Sequence, residues 1–398
     1  MSEAVIVDAV RTPIGRAMRG TLRDLRADDL AAIPLRALVE RNPEVDFQET
    51  VDVMMGCGFP DHEQGYNVGR NAVLLAGLDH HVPAVTVSRF CASSLQTIRM
   101  AFHAIKAGEG DQYIAAGVEC SSRGAGMSLP VMNPLLDGSN GTGSNGHGYN
   151  VYIPMGMTAE NVAERCKVSR EAQDEWAALS QQRAVAARES GHFDPEIVGV
   201  DIPETHDAGG DVIAAHRVTK DDGPREGTTV ESLAKLKPVF KPDGTVTAGN
   251  ACPLNDGAAA VLVMSEEKAR ERGLKPRARI VASAVAAVRP EIMGLGPIPA
   301  CRAVLKTAGL TIDDIDLVEL NEAFAAQVLP CRDELGIDPD KLNINGGAIA
   351  LGHPFGMTGA RIMTSLLNNL DTVDGRYGLE SMCVAGGLGQ AMIVERLS

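Results

Sequence analysis

Two cysteines, one histidine and one asparagine of this chain stand in turns where chemistry can be done. Cys91 lies in Val85-Thr-Val-Ser-Arg-Phe-Cys-Ala-Ser-Ser-Leu-Gln-Thr-Ile98. Val85 and Val87 alternate with Thr86 and Ser88, as in a buried strand. Leu95, Ile98, Phe102 and Ile105 then recur at helical spacing, and Gly108 is a fitting stop. This places Cys91 at a strand end, just before a helix N-terminus. Unpaired N–H groups and the helix dipole favour an anion there and predict a lowered thiol pKa. A thiolate is the competent nucleophile. The alternative is a buried cysteine with a packing role only.

Three further elements lie in the second half. Asn321-Glu-Ala-Phe-Ala325 follows a strand, Gly352-His353-Pro354 lies in a glycine-rich turn, and Cys383 opens a second glycine-rich turn. Taken singly, each has a structural reading: Asn321 as a helix cap, His353 as a turn residue, the glycines as backbone punctuation. Taken with Cys91 they form a set. His353 is a base for a thiol nucleophile, and Cys383 is a second group suited to moving a proton to and from carbon. Glycines around Cys383 allow close backbone approach and N–H groups aimed at an oxyanion.

The elements that position these residues read as α/β. Strands are predicted at 3–10, 51–56, 112–118, 257–264, 278–286 and 317–320, with two more around Cys383. Helices are predicted at 27–40, 67–76, 158–166, 170–189, 299–308 and 358–370, with Ser169 as a cap. Strands alternating with helices predict a largely parallel sheet. Residues 124–150 are rich in Gly, Asn and Ser, and 137–150 read as a mobile surface loop. The polar stretch 205–242 carries Lys220, Arg225, Lys235, Lys237 and Lys241, either a solvated face or a seat for an anionic cofactor. The expected division is 1–118 with 251–268 as a first half, 119–250 as an insertion, and 276–398 as a second half. The halves echo each other in topology, each with a reactive residue before a helix.

Composition narrows the function. The chain has 398 residues, 44% hydrophobic and 22% charged, as in ordinary globular proteins of more than one domain. A net charge of −15 with no basic tract argues against nucleic-acid binding. Eight scattered cysteines with no Cys-x-x-Cys pair predict reduced thiols and no zinc site. Neither a signal peptide nor a bilayer-spanning apolar run is recognised, so a cytoplasmic protein is expected.

The motifs, in their order, resemble the thiolase family, essentially end to end. They are Phe90-Cys-Ala-Ser-Ser-Leu-Gln96, Gly117-Val-Glu119, Met155-Gly-Met-Thr-Ala-Glu-Asn161 and Thr247-Ala-Gly-Asn250. Asn255-Asp-Gly-Ala-Ala-Ala260, Asn321-Glu-Ala-Phe-Ala325, Asn345-Gly-Gly-Ala-Ile-Ala-Leu-Gly-His-Pro354 and Cys383-Val-Ala-Gly-Gly-Leu-Gly389 complete the set. The resemblance implies an α/β thiolase fold: two pseudo-repeated halves in a five-layered α-β-α-β-α core with an inserted loop domain. It implies CoA-dependent cleavage of a 3-ketoacyl-CoA, with Cys91 as nucleophile, His353 as its base and Cys383 as acid and base. One oxyanion hole would use His353 and a water held by Asn321, the other the backbone N–H groups of Cys91 and Ala385. CoA would meet Arg225, Met155, Phe240, Ala248, Cys252, Ala323 and Phe324. It is a co-substrate; no permanent cofactor and no metal are implied. A homodimer or homotetramer is implied, with a hydratase/dehydrogenase subunit as a further partner.

This chain departs from the family pattern at Ala385, Ser94 and Cys252, where glycine, glycine and serine are common. Ala385 is harmless if its φ is negative and strained if positive. Pro154 before Met155-Gly156, with Ile292-Met-Gly-Leu-Gly-Pro297 and Ala325-Ala-Gln-Val-Leu-Pro-Cys331, resembles degradative 3-ketoacyl-CoA thiolases of fatty-acid β-oxidation. The alternatives are a biosynthetic acetoacetyl-CoA thiolase and a non-catalytic acyl-CoA-binding subunit. A decarboxylating ketoacyl synthase fits less well, because that relative uses two histidines beside its cysteine.

Overall fold

The computed structural model describes residues 2–124, 132–138, 148–206 and 212–397. Most of the glycine- and asparagine-rich segment, and most of the loop predicted at 137–150, lies outside them. In the first half, the strands are β1 (Ala4–Arg11), β2 (Asp52–Cys57), β3 (Ala84–Val87), β4 (Gln112–Cys120) and β5 (Asn255–Ser265). The helices there are α1 (Ala27–Arg41), α2 (Val68–Leu75) and α3 (Ser93–Ala107). Between β4 and β5 come α4 (Met155–Cys166) and α5 (Arg170–Glu189). The second half has β6 (Ala278–Ala287), β7 (Leu317–Leu320), β8 (Tyr377–Val384) and β9 (Leu388–Arg396). Its helices are α6 (Pro297–Ala308), α7 (Ala325–Leu335) and α8 (Thr358–Val373).

The strands run in the order β7-β8-β9-β6-β1-β5-β4-β2-β3, with Gly15–Arg16 added beside β5. Within the sheet, among the described residues, the two halves are joined through two residue pairs, Val5 with Arg279 and Ile6 with Ala278. The sheet is not largely parallel. Parallel pairing is confined to β2–β3, β2–β4 and β7–β8. The other pairs are antiparallel: β1–β5, β4–β5, β1–β6, β6–β9 and β8–β9. The parallel pairs lie where helices intervene between the strands, as strands of one direction require a crossover connection. Elsewhere the connections reverse the chain: a short turn joins β8 to β9, and β5 returns from the long excursion after β4.

Three hydrophobic cores define the layers. Helices α1 and α2 cover one face of the first half-sheet, through Leu30, Leu35, Leu38 and Val73. Helices α6 and α7 cover the far face of the second, through Val304, Val328 and Leu335. Between the half-sheets lie α3 and α8, whose Leu95, Ile98, Ile362 and Leu366 pack with Ile6, Val261, Met382 and Val394. The result is five layers, α-β-α-β-α. It explains why α3 and α8 are apolar on more than one side: each is covered by protein all round.

The predicted caps hold. The Ser169 side chain accepts from the Ala172 N–H. Gly108 ends α3 at φ 77°, a left-handed conformation that a side chain resists.

Candidate active site

Cys91 lies in a single 3-10 turn, Phe90–Ala92, between β3 and α3. His353 precedes α8 in the same way. Both middle-layer helices therefore bring a reactive residue to their N-terminal ends, and those ends touch. A Cβ placed on Gly359, in the first turn of α8, would lie 2.2 Å from the Leu95 backbone nitrogen of α3. Ser94 has a use here: its Oγ accepts the Ala360 N–H at 2.9 Å. That donor lies in the first turn of α8 and has no helical acceptor, so α3 caps α8.

Cys383 is the last residue but one of β8, and the 90–92 turn packs against that strand. Backbone N–H groups of Ala385 and of Cys91 itself point at the Cys91 sulfur. The turn after Cys383 takes its positive φ at Gly386 (82°) and Gly387 (85°), and Ala385 is not among the positive-φ residues. Its methyl is therefore unstrained, and its N–H remains available.

Asn321 follows β7, with Nδ2 3.3 Å from His353 Nε2. Its Oδ1 is buried without a protein partner, as a group awaiting water or substrate would be. The His353 backbone N–H donates to Asn255 Oδ1 at 2.9 Å, which fixes the turn. Phe355 meets the imidazole edge-on at 4.9 Å between centroids, and Phe59 lies between Phe355 and Phe90.

Two buried carboxylates hold the surrounding turns. Glu119 accepts N–H groups from Gly58 at 2.7 Å and Gly356 at 2.8 Å, so it ties the two halves beside His353. Glu322 accepts from Ser180 at 2.6 Å, Asn343 at 2.9 Å, Trp176 at 3.1 Å and Ile349 at 3.2 Å. It joins α5 to the chain leading into His353. Burial pushes both carboxyls up, and these hydrogen bonds work against that.

The predicted lowering of the Cys91 pKa is corrected. Burial pushes the thiol up to about 12, and the two backbone N–H groups oppose it only in part. Burial, then Arg361, lowers His353 to about 3. Burial also raises Cys383, reinforced by Cys91. The resting site is uncharged: two thiols and a neutral imidazole. The helix end was in the right place, but α3 begins at Ser93 and removal from water outweighs its N–H groups.

A pH effect follows. His353 is neutral when folded and takes a proton below about 6.5 when unfolded. The unfolded state then binds more protons, so stability from this group falls as pH drops from about 6.5 toward 3, by about 1.4 kcal/mol per unit. Denaturant unfolding of parent and His353→Gln at pH 7, 6 and 5 checks this. The variant is expected to lose less stability on acidification.

The residues expected at CoA fall into two adjoining groups. Phe324, Ala323 and Cys383 share one small core with Met155 and Cys252 packed on it. Phe240 meets Phe324 edge-on at 6.3 Å. Arg225 and Ala248 instead line a cavity of about 190 Å³ with Arg16, Thr228, Ser232 and Gly249. Arg16 escaped the sequence reading because it lies in a turn far from the basic stretch. Lys235, Lys237 and Lys241 are exposed, and Lys241 pairs with Glu164 at 3.3 Å.

Comparison with known proteins accords with this arrangement. The N-terminal thiolase domain matches residues 4–267 and the C-terminal thiolase domain residues 274–396. The chain belongs to the thiolase family. It is 48% identical over 418 residues to a beta-ketoadipyl-CoA thiolase of Acinetobacter baylyi, covering all of both chains. It is 47% identical over 401 residues to a 3-ketoacyl-CoA thiolase of Cronobacter sakazakii, again covering all of both. The crystal structure of the Bacillus anthracis acetyl-CoA acetyltransferase superposes with a TM-score of 0.89 at 40% identity, over 100% of this chain and 99% of that one. As a thiolase the chain is an acyltransferase with CoA as co-substrate. Among the described residues no helix is long and apolar enough to cross a membrane.

Proposed function

We propose that this thiolase cleaves 3-ketoacyl-CoA with CoA in the degradative direction, giving acetyl-CoA and a shortened acyl-CoA. One observation supports the reading: Cys91, His353, Asn321 and Cys383, from four separate segments, are all buried, with Asn321 Nδ2 3.3 Å from His353 Nε2 and the Cys91 turn packed on the strand that carries Cys383. His353 Nε2 takes the Cys91 proton as sulfur attacks the 3-keto carbon. Charge on the resulting oxygen is met by the Cys91 and Ala385 N–H groups. The carbon–carbon bond breaks, and the acetyl-CoA carbanion takes the Cys383 proton. CoA enters, gives its thiol proton to Cys383, and its sulfur displaces the acyl group. Cys91 recovers its proton from His353. An uncharged resting site suits this sequence, because each ion pair forms only as a bond forms.

The CoA side is read as Met155, Phe240, Ala248, Cys252, Ala323 and Phe324, with Arg225 toward the phosphates. Residues 119–250 are read as an insertion into the first half, 1–118 with 251–268, ahead of the second half, 276–398. A cytoplasmic homodimer or homotetramer is proposed. The degradative choice rests on Pro154 and on the motifs at 292–297 and 325–331.

The test is CoA-dependent thiolysis of straight-chain 3-ketoacyl-CoAs from four to sixteen carbons, with 3-ketoadipyl-CoA alongside. Rates rising above that for acetoacetyl-CoA are expected. Activity confined to acetoacetyl-CoA would sink the degradative reading. A preference for the dicarboxylic substrate would move it to the class named for the Acinetobacter relative.

A further inference from the structure

The side chain that decides which nitrogen of His353 can act as a base is not among the four reactive residues. Thr358, the first residue of α8, places its Oγ1 2.6 Å from His353 Nδ1 and 2.8 Å from the Pro354 carbonyl oxygen. A hydroxyl has one hydrogen to give. The carbonyl only accepts, so the hydroxyl donates there, and its contact with the ring is one in which the ring donates. Nδ1 then carries the hydrogen and Nε2 the lone pair. The opposite side of the ring agrees: Asn321 Nδ2, a donor only, faces Nε2 at 3.3 Å. His353 and Asn321 are each 1% exposed and Thr358 is fully buried, so bulk water does not compete for these contacts. The other tautomer would take Thr358 from Pro354 and require the Asn321 amide to turn over.

We propose that Thr358 is a positioning residue that holds His353 in its Nδ1–H tautomer and aims Nε2 at the nucleophile. When Nε2 takes the Cys91 proton, both ring nitrogens are donors, and Thr358 still accepts from Nδ1. The contact given up in the transfer is that with Asn321 Nδ2, which donates to the Nε2 lone pair only while it is free. This role rests on His353 serving as the base in the function proposed above.

The test compares Thr358→Ser with Thr358→Ala. Both lose the same methyl, so they share its packing cost; only alanine loses the oxygen. Alanine is expected to lower the thiolysis kcat on the order of tenfold to a hundredfold with KM little changed, and serine to restore it. Iodoacetamide labelling of Cys91, which needs no ketoacyl substrate, is expected to slow in the alanine variant and not in the serine variant. If alanine does not fold, Thr358→Val keeps the volume without the hydroxyl and replaces it in both assays. Equal kcat values for the serine and hydroxyl-free variants, or equal labelling rates, would overturn the proposal. A parent without thiolysis would instead overturn the functional reading, and the labelling comparison alone would then decide the role of Thr358.

Discussion

Cys91→Ala is expected to abolish thiolysis, with a loss on the order of 10⁴-fold or more in kcat and no large change in CoA binding. The reason is covalent. The thiol is the group placed to form the acyl-enzyme, and alanine offers no nucleophile in its stead. Cys383 and Cys252 lie close enough to feel the charge of Cys91. Neither has Cys91's place beside the Ala385 N–H. Steady-state thiolysis, with CoA affinity by calorimetry, checks this. Retained activity would remove Cys91 from the nucleophile's role, and a parallel loss of CoA affinity would give it a binding role instead.

Gly359→Ala is expected to destabilise the fold by about 3 kcal/mol, at the upper end for overpacking, and to remove most activity. The new methyl carbon would sit 2.2 Å from Leu95 N and 2.8 Å from Leu95 Cα, both backbone atoms. A flexible side chain turns aside from such a contact; a helix backbone does not. Relief must come from parting α3 and α8, and those helices bring up Cys91 and His353 at their first turns. It would also draw Ala360 away from Ser94. Denaturant unfolding together with thiolysis measures both effects. An unchanged midpoint would mean that the helices slide apart at little cost.

Local structure was legible where neighbours in sequence decide it. The alternation at 85–88 and the apolar spacing of Leu95, Ile98, Phe102 and Ile105 located a strand and helix within two residues of their observed limits, although the strand is half-buried and not buried as expected. Leu317–Leu320 and Arg170–Glu189 fell on the predicted bounds. Strand direction was not legible, because it depends on where the chain returns after a connection. Cys91, Asn321, His353 and Cys383 were legible as a set, through the order of the motifs that carry them, whereas each taken singly had a structural reading. Their protonation was misjudged at Cys91 because burial is a property of the assembled middle layer, unseen in a local window. Ser94 and Thr358 were missed as contributors for a related reason. A hydroxyl's task depends on the groups it meets, and Ser94 meets Ala360 from 266 positions away.

The pairing of the first strand has a consequence for how the chain is made. Among the described residues of the sheet, β1 pairs with β5 along one edge, from Ala4 with Ser265 to Arg11 with Ala259, and with β6 along the other, where Ile6 meets Ala278. It is synthesised ahead of both partners and remains without either until some 250 further residues exist. Closing so long a loop has an entropic cost that must be met before its contacts reward it. Until then an apolar strand with open edges is exposed to other chains. The order of synthesis thus runs against the order of assembly, and slow, late-committing folding follows from the topology itself.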